Sequence, residues 1–261
     1  MIRSVVVSFF ILTVFTGFTQ DRSLYESYSF IQNGDTLPYR LLLPENYDAN
    51  KDYPIVFFLH GRGESGNDNE KQLTHGASLF LRDSIRKKYP AIVVFPQCAA
   101  NSYWSNVQTI ADKQGKRTFY FIAGGEPSGS MKLLLSMVDN LLDRYKVKKD
   151  QVYVMGLSMG GMGVFELARR KPGLFAAAVP ICGGANPATA KGISRVKWWI
   201  FHGAKDDVVL PAHSQQMGEA LRKAGANVKF TLYPNANHNS WDSALAEPGL
   251  LLWLFGTRKK K

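Results

Sequence analysis

Short unbroken hydrophobic runs alternate along this chain with longer stretches in which apolar residues recur every three or four positions. Residues 55–59 (IVFFL) end in His60-Gly61 and residues 91–95 (AIVVF) end in Pro96. Runs of this length and bounding read as strands buried on both faces. Between 130 and 145, Met131, Leu134, Leu135, Val138, Leu141, Leu142 and Tyr145 follow the spacing of an amphipathic helix. A further strand at 152–155 (VYVM) runs directly into Gly156-Leu157-Ser158-Met159-Gly160-Gly161, with helical sequence to about Arg170 and a break at Lys171-Pro172-Gly173. Strands at 176–181, 198–201 and 228–233 complete the series, with a helix at about 212–224 before the last and a closing helix at 250–255.

This alternation predicts βα units, hence an α/β domain with a mostly parallel central sheet flanked by helices. No period recurs, no low-complexity linker divides the chain, and 261 residues suit one core. Residues 99–129 break the regularity. They hold Trp104, a charged stretch from Asp112 to Arg117 and a Gly124-Gly125-Glu126-Pro127 turn, and they read as a long loop passing over the strand ends.

The N-terminus changes the picture of where the domain works. Arg3 precedes an apolar run from Val5 to Phe18, which is short for a membrane span and is followed by polar Gln20, Asp21, Arg22 and Ser23. This is the pattern of an export signal over 1–19, with an uncleaved anchor as the alternative. The expectation is a secreted or periplasmic protein without stable membrane insertion after cleavage. The net charge is +11, and loss of 1–19 removes only Arg3, leaving +10. Part of that excess is a basic tail at 257–261, expected to be solvated. No zinc-ligand spacing or nucleic-acid module accompanies it, so nucleic acid is not an expected partner.

Gly156-x-Ser158-x-Gly160 alone is weak evidence, since chance supplies such a match in about one chain in ten of this size. Its position between a buried strand and a helix is what matters. The glycines allow a sharp turn that exposes the hydroxyl at a helix N-terminus, where backbone N–H groups favour negative charge. A serine nucleophile needs a base, and the base needs an orienting acid. The strand at 198–201 leads into His202-Gly203-Ala204-Lys205-Asp206-Asp207, and the strand at 228–233 into Pro234-Asn235-Ala236-Asn237-His238. Both turns follow the carboxyl ends of strands, on the same edge as Ser158. His238 is therefore the expected base and Asp206 the expected acid, with Asp207 assigned to capping the turn. His60, His75, His202 and His213 lack the required placement. The loop His60-Gly61-Arg62-Gly63-Glu64 suits one half of an oxyanion hole, so the backbone N–H groups of Arg62 and Met159 are the expected donors.

With these blocks in this order, the chain from about Pro54 onward resembles the α/β-hydrolase superfamily. More narrowly it is similar to secreted bacterial esterases grouped with dienelactone hydrolases, polyhydroxybutyrate depolymerases and feruloyl and acetylxylan esterases. The carrying segments are LHGRGESG (59–66), VFPQC (94–98), GLSMGGMG (156–163), PICGGAN (180–186), HGAKDDVV (202–209) and YPNANHNSWD (233–242). The resemblance implies a serine carboxylic-ester hydrolase working through an acyl-enzyme on small-molecule or oligosaccharide esters, including acetyl or feruloyl groups on plant polysaccharides. It implies no metal or organic cofactor. Residues 20–53 resemble the entry hairpin of such enzymes, turning at Asn33-Gly34. Trp104 and Trp241 are the candidate rings for stacking on a sugar or aromatic acyl group, with packing beneath the histidine loop as the alternative for Trp241. In the superfamily's strand order two strands separate Cys98 from Cys182, about 14 Å at the usual spacing, so two free thiols are expected. A peptidase of the prolyl oligopeptidase type and a catalytically silent binding protein on the same fold are the competing readings.

Overall fold

The computed structural model describes residues 21–115 and 117–259, so the expected export signal at 1–19 and the last two lysines lie outside the described residues. The chain enters through a hairpin of β1 (Glu26–Gln32) and β2 (Asp35–Leu42), paired antiparallel. Asn33 and Gly34 turn it with φ of 54° and 85°, the left-handed pair that a two-residue hairpin requires. Next come β3 (Tyr53–Leu59), the short helices α1 (Ala77–Leu81) and α2 (Asp83–Lys88), and β4 (Ile92–Pro96). A separate hairpin of β5 (Val107–Ala111) and β6 (Arg117–Phe121) precedes α3 (Gly129–Arg144). The rest comprises β7 (Val147–Leu157), α4 (Met159–Arg170), β8 (Ala177–Ile181), β9 (Lys197–Gly203), α5 (Pro211–Lys223) and β10 (Val228–Tyr233). Two helices, α6 (Trp241–Leu245) and α7 (Leu250–Gly256), close the chain.

The eight-stranded sheet runs β1-β2-β4-β3-β7-β8-β9-β10, antiparallel through β2 and parallel from β4 onward. β3 explains why both faces are covered. Its Ile55, Phe57 and Leu59 join one core with α3, α4 and α5, while Val56 and Phe58 join a second core with α1 and α7. From β3 the chain passes to β4 on one side and then returns to β7 on the other. This reversal opens a crevice at the carboxyl ends of the strands, where ligands of such sheets bind. The registers Leu59↔Gly156, Leu157↔Ile181, Ile181↔Phe201 and Gly203↔Tyr233 bring the ends of five strands level along that edge.

Two segments differ from their sequence reading. The 99–129 segment is not a plain loop, because β5 and β6 pair from Val107↔Phe121 to Ala111↔Arg117 and fold back over the sheet edge. Phe119 packs there on Met162 and Val209. The start of the basic tail is not a free solvated end either. Arg258 donates to the Asp150 carboxylate at 2.9 Å, and Lys259 donates its backbone N–H to Asp150 O and its amine to Gly173 O. Among the described residues no helix is long and apolar enough to cross a membrane.

Candidate active site

The turn between β7 and α4 sets the site. Ser158 sits at its apex with φ 53° and ψ −118°, outside the regions a serine normally occupies. Such a conformation costs about 1–3 kcal/mol and persists only where its surroundings over-determine it. Here they do. Ser158 N donates to Ile181 O at 2.9 Å, and Ser158 O accepts from Met162 N at 3.0 Å. The turn also lies tight against the strand beside it: a methyl on Gly160 would stand 1.9 Å from Leu59 O, and one on Gly156 would stand 2.6 Å from Gly160 O.

Ser158 Oγ lies 2.9 Å from His238 Nε2, and His238 Nδ1 lies 2.8 Å from Asp206 Oδ2. Facing a carboxylate, Nδ1 carries the proton, which leaves Nε2 as the acceptor for the serine hydroxyl. The loops that carry Asp206 and His238 are braced together. Ala204 N and Lys205 N, after β9, donate to Tyr233 O at the end of β10 and to Ala236 O in the loop beyond it. A side chain on Gly203 would meet Asn237 O at 2.3 Å.

Asp206 is buried, whereas Asp207 is exposed. The capping expected of Asp207 is done by Asp206 itself, whose Oδ1 accepts from Val208 N and Val209 N at 2.9 Å each. Burial alone would raise the Asp206 carboxyl. Hydrogen bonds from His202, His238 and Val209 N–H outweigh it and hold the carboxyl well below the usual range. The His202 contact was absent from the sequence reading: its Nε2 lies 3.0 Å from Asp206 Oδ2. The signal for it was the four-residue spacing from His202 to Asp206 around Gly203.

The loop after β3 runs beside the serine, so that a methyl on Gly61 would lie 3.6 Å from Ser158 Cβ. His60 anchors this loop from within. Its Nδ1–H donates to Gly61 O at 2.6 Å and its Nε2 accepts from Cys98 N at 2.9 Å, tying the ends of β3 and β4. Burial pushes His60 down to about 4, so the ring is neutral. Arg62 turns its guanidinium away from Ser158, onto Ser102 O and Ala100 O and over the Tyr103 ring.

A cleft of about 270 Å³ opens over the serine. One wall is Arg62, Glu64, His75 and Trp241, and the other is Arg117, Phe119, Met162 and Val208. Trp241 stands edge-on to His238 at 5.4 Å and tilted to His75 at 5.2 Å, so it both supports the histidine and faces the cleft. Trp104 does not face it. That ring is fully buried, edge-on to His60 at 5.5 Å, and packs where α4 lacks a side chain at Gly163. The expectation that Trp104 stacks on substrate is therefore replaced by a core role, while His75, Arg117 and Phe119 are wall residues that the sequence reading did not single out.

Cys98 and Cys182 are both free and buried. Cys182, Asp206 and His238 bring a thiol, a carboxylate and an imidazole within 4.8 Å of one another. Burial pushes the Cys182 thiol far up, so it stays protonated, and the other two groups are hydrogen-bonded to each other. This cluster reads as part of the serine's support rather than as a cation site.

Known proteins similar to this chain include several esterases. The chain is 26% identical over 181 residues to a probable feruloyl esterase C of Aspergillus terreus, covering 69% of this chain and 58% of that protein. It is 27% identical over 241 residues to feruloyl esterase B of Thermothelomyces thermophilus, covering 79% and 75%. Among solved structures, a thermostable esterase superposes with a TM-score of 0.79 at 29% identity, over 90% of this chain and 64% of that one. The chain thus spans less than two thirds of the A. terreus relative and of the thermostable esterase. The putative esterase family model matches residues 33–227, and this α/β-hydrolase-fold chain belongs to that family.

Proposed function

We propose that the protein is a serine carboxylic-ester hydrolase that works outside the cytoplasm and removes acyl groups from plant polysaccharides. The observation that carries the reading is the unbroken hydrogen-bond chain from Ser158 Oγ through His238 to Asp206. In the proposed cycle Ser158 attacks the ester carbonyl while His238 Nε2 takes its proton. The N–H groups of Arg62 and Met159 receive the developing oxyanion. His238 then returns the proton to the leaving alcohol, and water, activated by the same imidazole, releases the acid from the acyl-enzyme. Asp206 stays ionised throughout and holds the imidazole in the required tautomer.

The relatives' names support an aromatic acyl group, and Phe119, Met162 and Trp241 give the cleft apolar walls beside the serine. The Arg3-led apolar run supports export. The test is a panel of aryl esters, acetylated and feruloylated oligosaccharides, and matched amides. The expected result is turnover of esters with feruloylated substrates preferred, amides inert, and Ser158 labelled by a fluorophosphonate. Amide cleavage at a rate comparable to the ester would move the reading to a peptidase. Absence of both turnover and labelling would overturn it in favour of a silent binding protein.

A further inference from the structure

Two buried histidines, His60 and His202, stand outside the proposed cycle, and of these His202 touches Asp206. His202, on β9, is fully buried, yet every polar contact of its ring leads to the Asp206 turn or its support. Nε2 lies 3.0 Å from Asp206 Oδ2 and 2.8 Å from Val209 O. Both partners are acceptors, so Nε2 must carry a hydrogen whichever of the two it favours. Nδ1 lies 2.7 Å from Ser214 Oγ, which in turn lies 2.8 Å from Gly183 O. Asp206 is thus held by four N–H donors. Val208 and Val209 fix Oδ1, while two imidazoles, His202 and His238, share Oδ2.

We propose that His202 is a positioning residue of the ester hydrolase: with Ser214 behind it, it aims Oδ2 of Asp206 at His238 and shares that oxygen's charge. The proposal rests on the function proposed above. Two consequences follow from the shared oxygen. Losing the His202 donor lets the carboxylate swing, which misplaces His238 against Ser158. It also returns charge to Oδ2, which favours the protonated form of His238. The groups around His202 that bear on this are Asp206 on its own turn, Cys182 after β8, His213 on α5 and His238 after β10. Apart from His238, which already donates to Oδ2, none of these offers it an N–H.

The experiment compares His202→Phe, which removes the donor, with His202→Gln, which keeps an N–H at similar reach. Melting and circular dichroism establish that each variant is folded. His202→Phe is expected to lower kcat between about tenfold and a hundredfold, the scale on which small misplacements of reacting groups act, with KM little changed. Its acid limb of kcat/KM moves to higher pH. His202→Gln recovers most of the rate. A folded His202→Phe with kcat within twofold of wild type overturns the proposal. So does a rate loss with the acid limb unmoved, which would assign His202 to structure alone. ¹⁵N-histidine NMR of the unmutated protein gives a readout that needs neither a folded variant nor turnover. A slowly exchanging Nε2–H on His202 is expected, and an unprotonated Nε2 there overturns the proposal. If the unmutated protein turns over no ester but shows this signal, the functional reading has failed while the arrangement of His202 stands.

Discussion

Ser158 Oγ and His238 Nε2 meet at 2.9 Å across 80 positions of sequence, although each stands on a different strand's loop and neither strand touches the other. β8 and β9 lie between β7 and β10, so the register of three strand pairs must hold for that distance to exist. Replacing Ser158, the proposed nucleophile, tests the relationship directly. Ser158→Ala is expected to cut ester turnover by at least about a thousandfold. Ser158→Gly is expected to do the same while raising the melting temperature, because glycine adopts this backbone at lower cost. Paired activity and melting measurements decide it, and a Gly variant less stable than the Ala variant would contradict the strain at φ 53°.

Close approach of β3 to the serine turn predicts intolerance of side chains there. Gly160→Ala must displace Leu59 O, which lies 1.9 Å from the new methyl, and backbone on both sides resists the shift. The expected outcome is a loss of several kcal/mol, enough to unfold a marginal domain. Denaturant unfolding of Gly160→Ala beside Gly63→Ala, where no atom lies within 4 Å, provides the measure.

Asp206 ties stability to acid. Its folded-state pKa lies below the unfolded value, so its ionised form stabilises the fold above the unfolded pKa, and this contribution disappears as pH falls through the folded pKa. The stability advantage of wild type over Asp206→Asn is therefore expected to hold from neutral pH to about pH 4 and to shrink below it. Urea melts at descending pH would show the two curves converging. Parallel curves down to strong acid would count against the carboxylate's role.

The two candidate tryptophans separate cleanly. Trp104→Ala is expected to cost about 3–5 kcal/mol of stability, as truncation of a fully buried aromatic does. Trp241→Ala is expected to leave melting nearly intact while lowering kcat/KM, because its ring meets His238 and the cleft. Exchange of these two phenotypes would reverse the assignments.

Burial also governs the thiols. Desolvation pushes Cys98 up to about 11 and Cys182 higher still, so neither presents a thiolate near neutrality. A disulfide-exchange reagent is expected to find no reactive thiol in the native protein and two after denaturation.

The strands that build the cleft floor were legible in the sequence because burial on two faces leaves unbroken apolar runs. The β5–β6 hairpin was not. Its outward-facing Ile110 and Tyr120 are as apolar as inward-facing Phe119, so hydrophobicity there does not sort inside from outside. Trp104 was misread for a related reason: it lies in a loop, and its burial depends on Gly163, a missing side chain on a helix far along the chain. His238 and Asp206 could be named as candidates because the order of strand ends constrains them, and the fold sets both in one hydrogen-bond chain with Ser158. His202 was passed over because its place in an apolar run made it look like strand interior, and only the turn that brings Asp206 back to Nε2 reveals its contact.

β10 is paired on one side only and forms a border of the sheet, yet the loop that follows it carries His238, the proposed base. Borders of a sheet open at lower free energy than its middle. The proposed base thus hangs from a border strand, so warming is expected to silence ester turnover while most amide protons remain protected. Heat inactivation would then be an edge event, reversible on cooling, well before the two cores come apart.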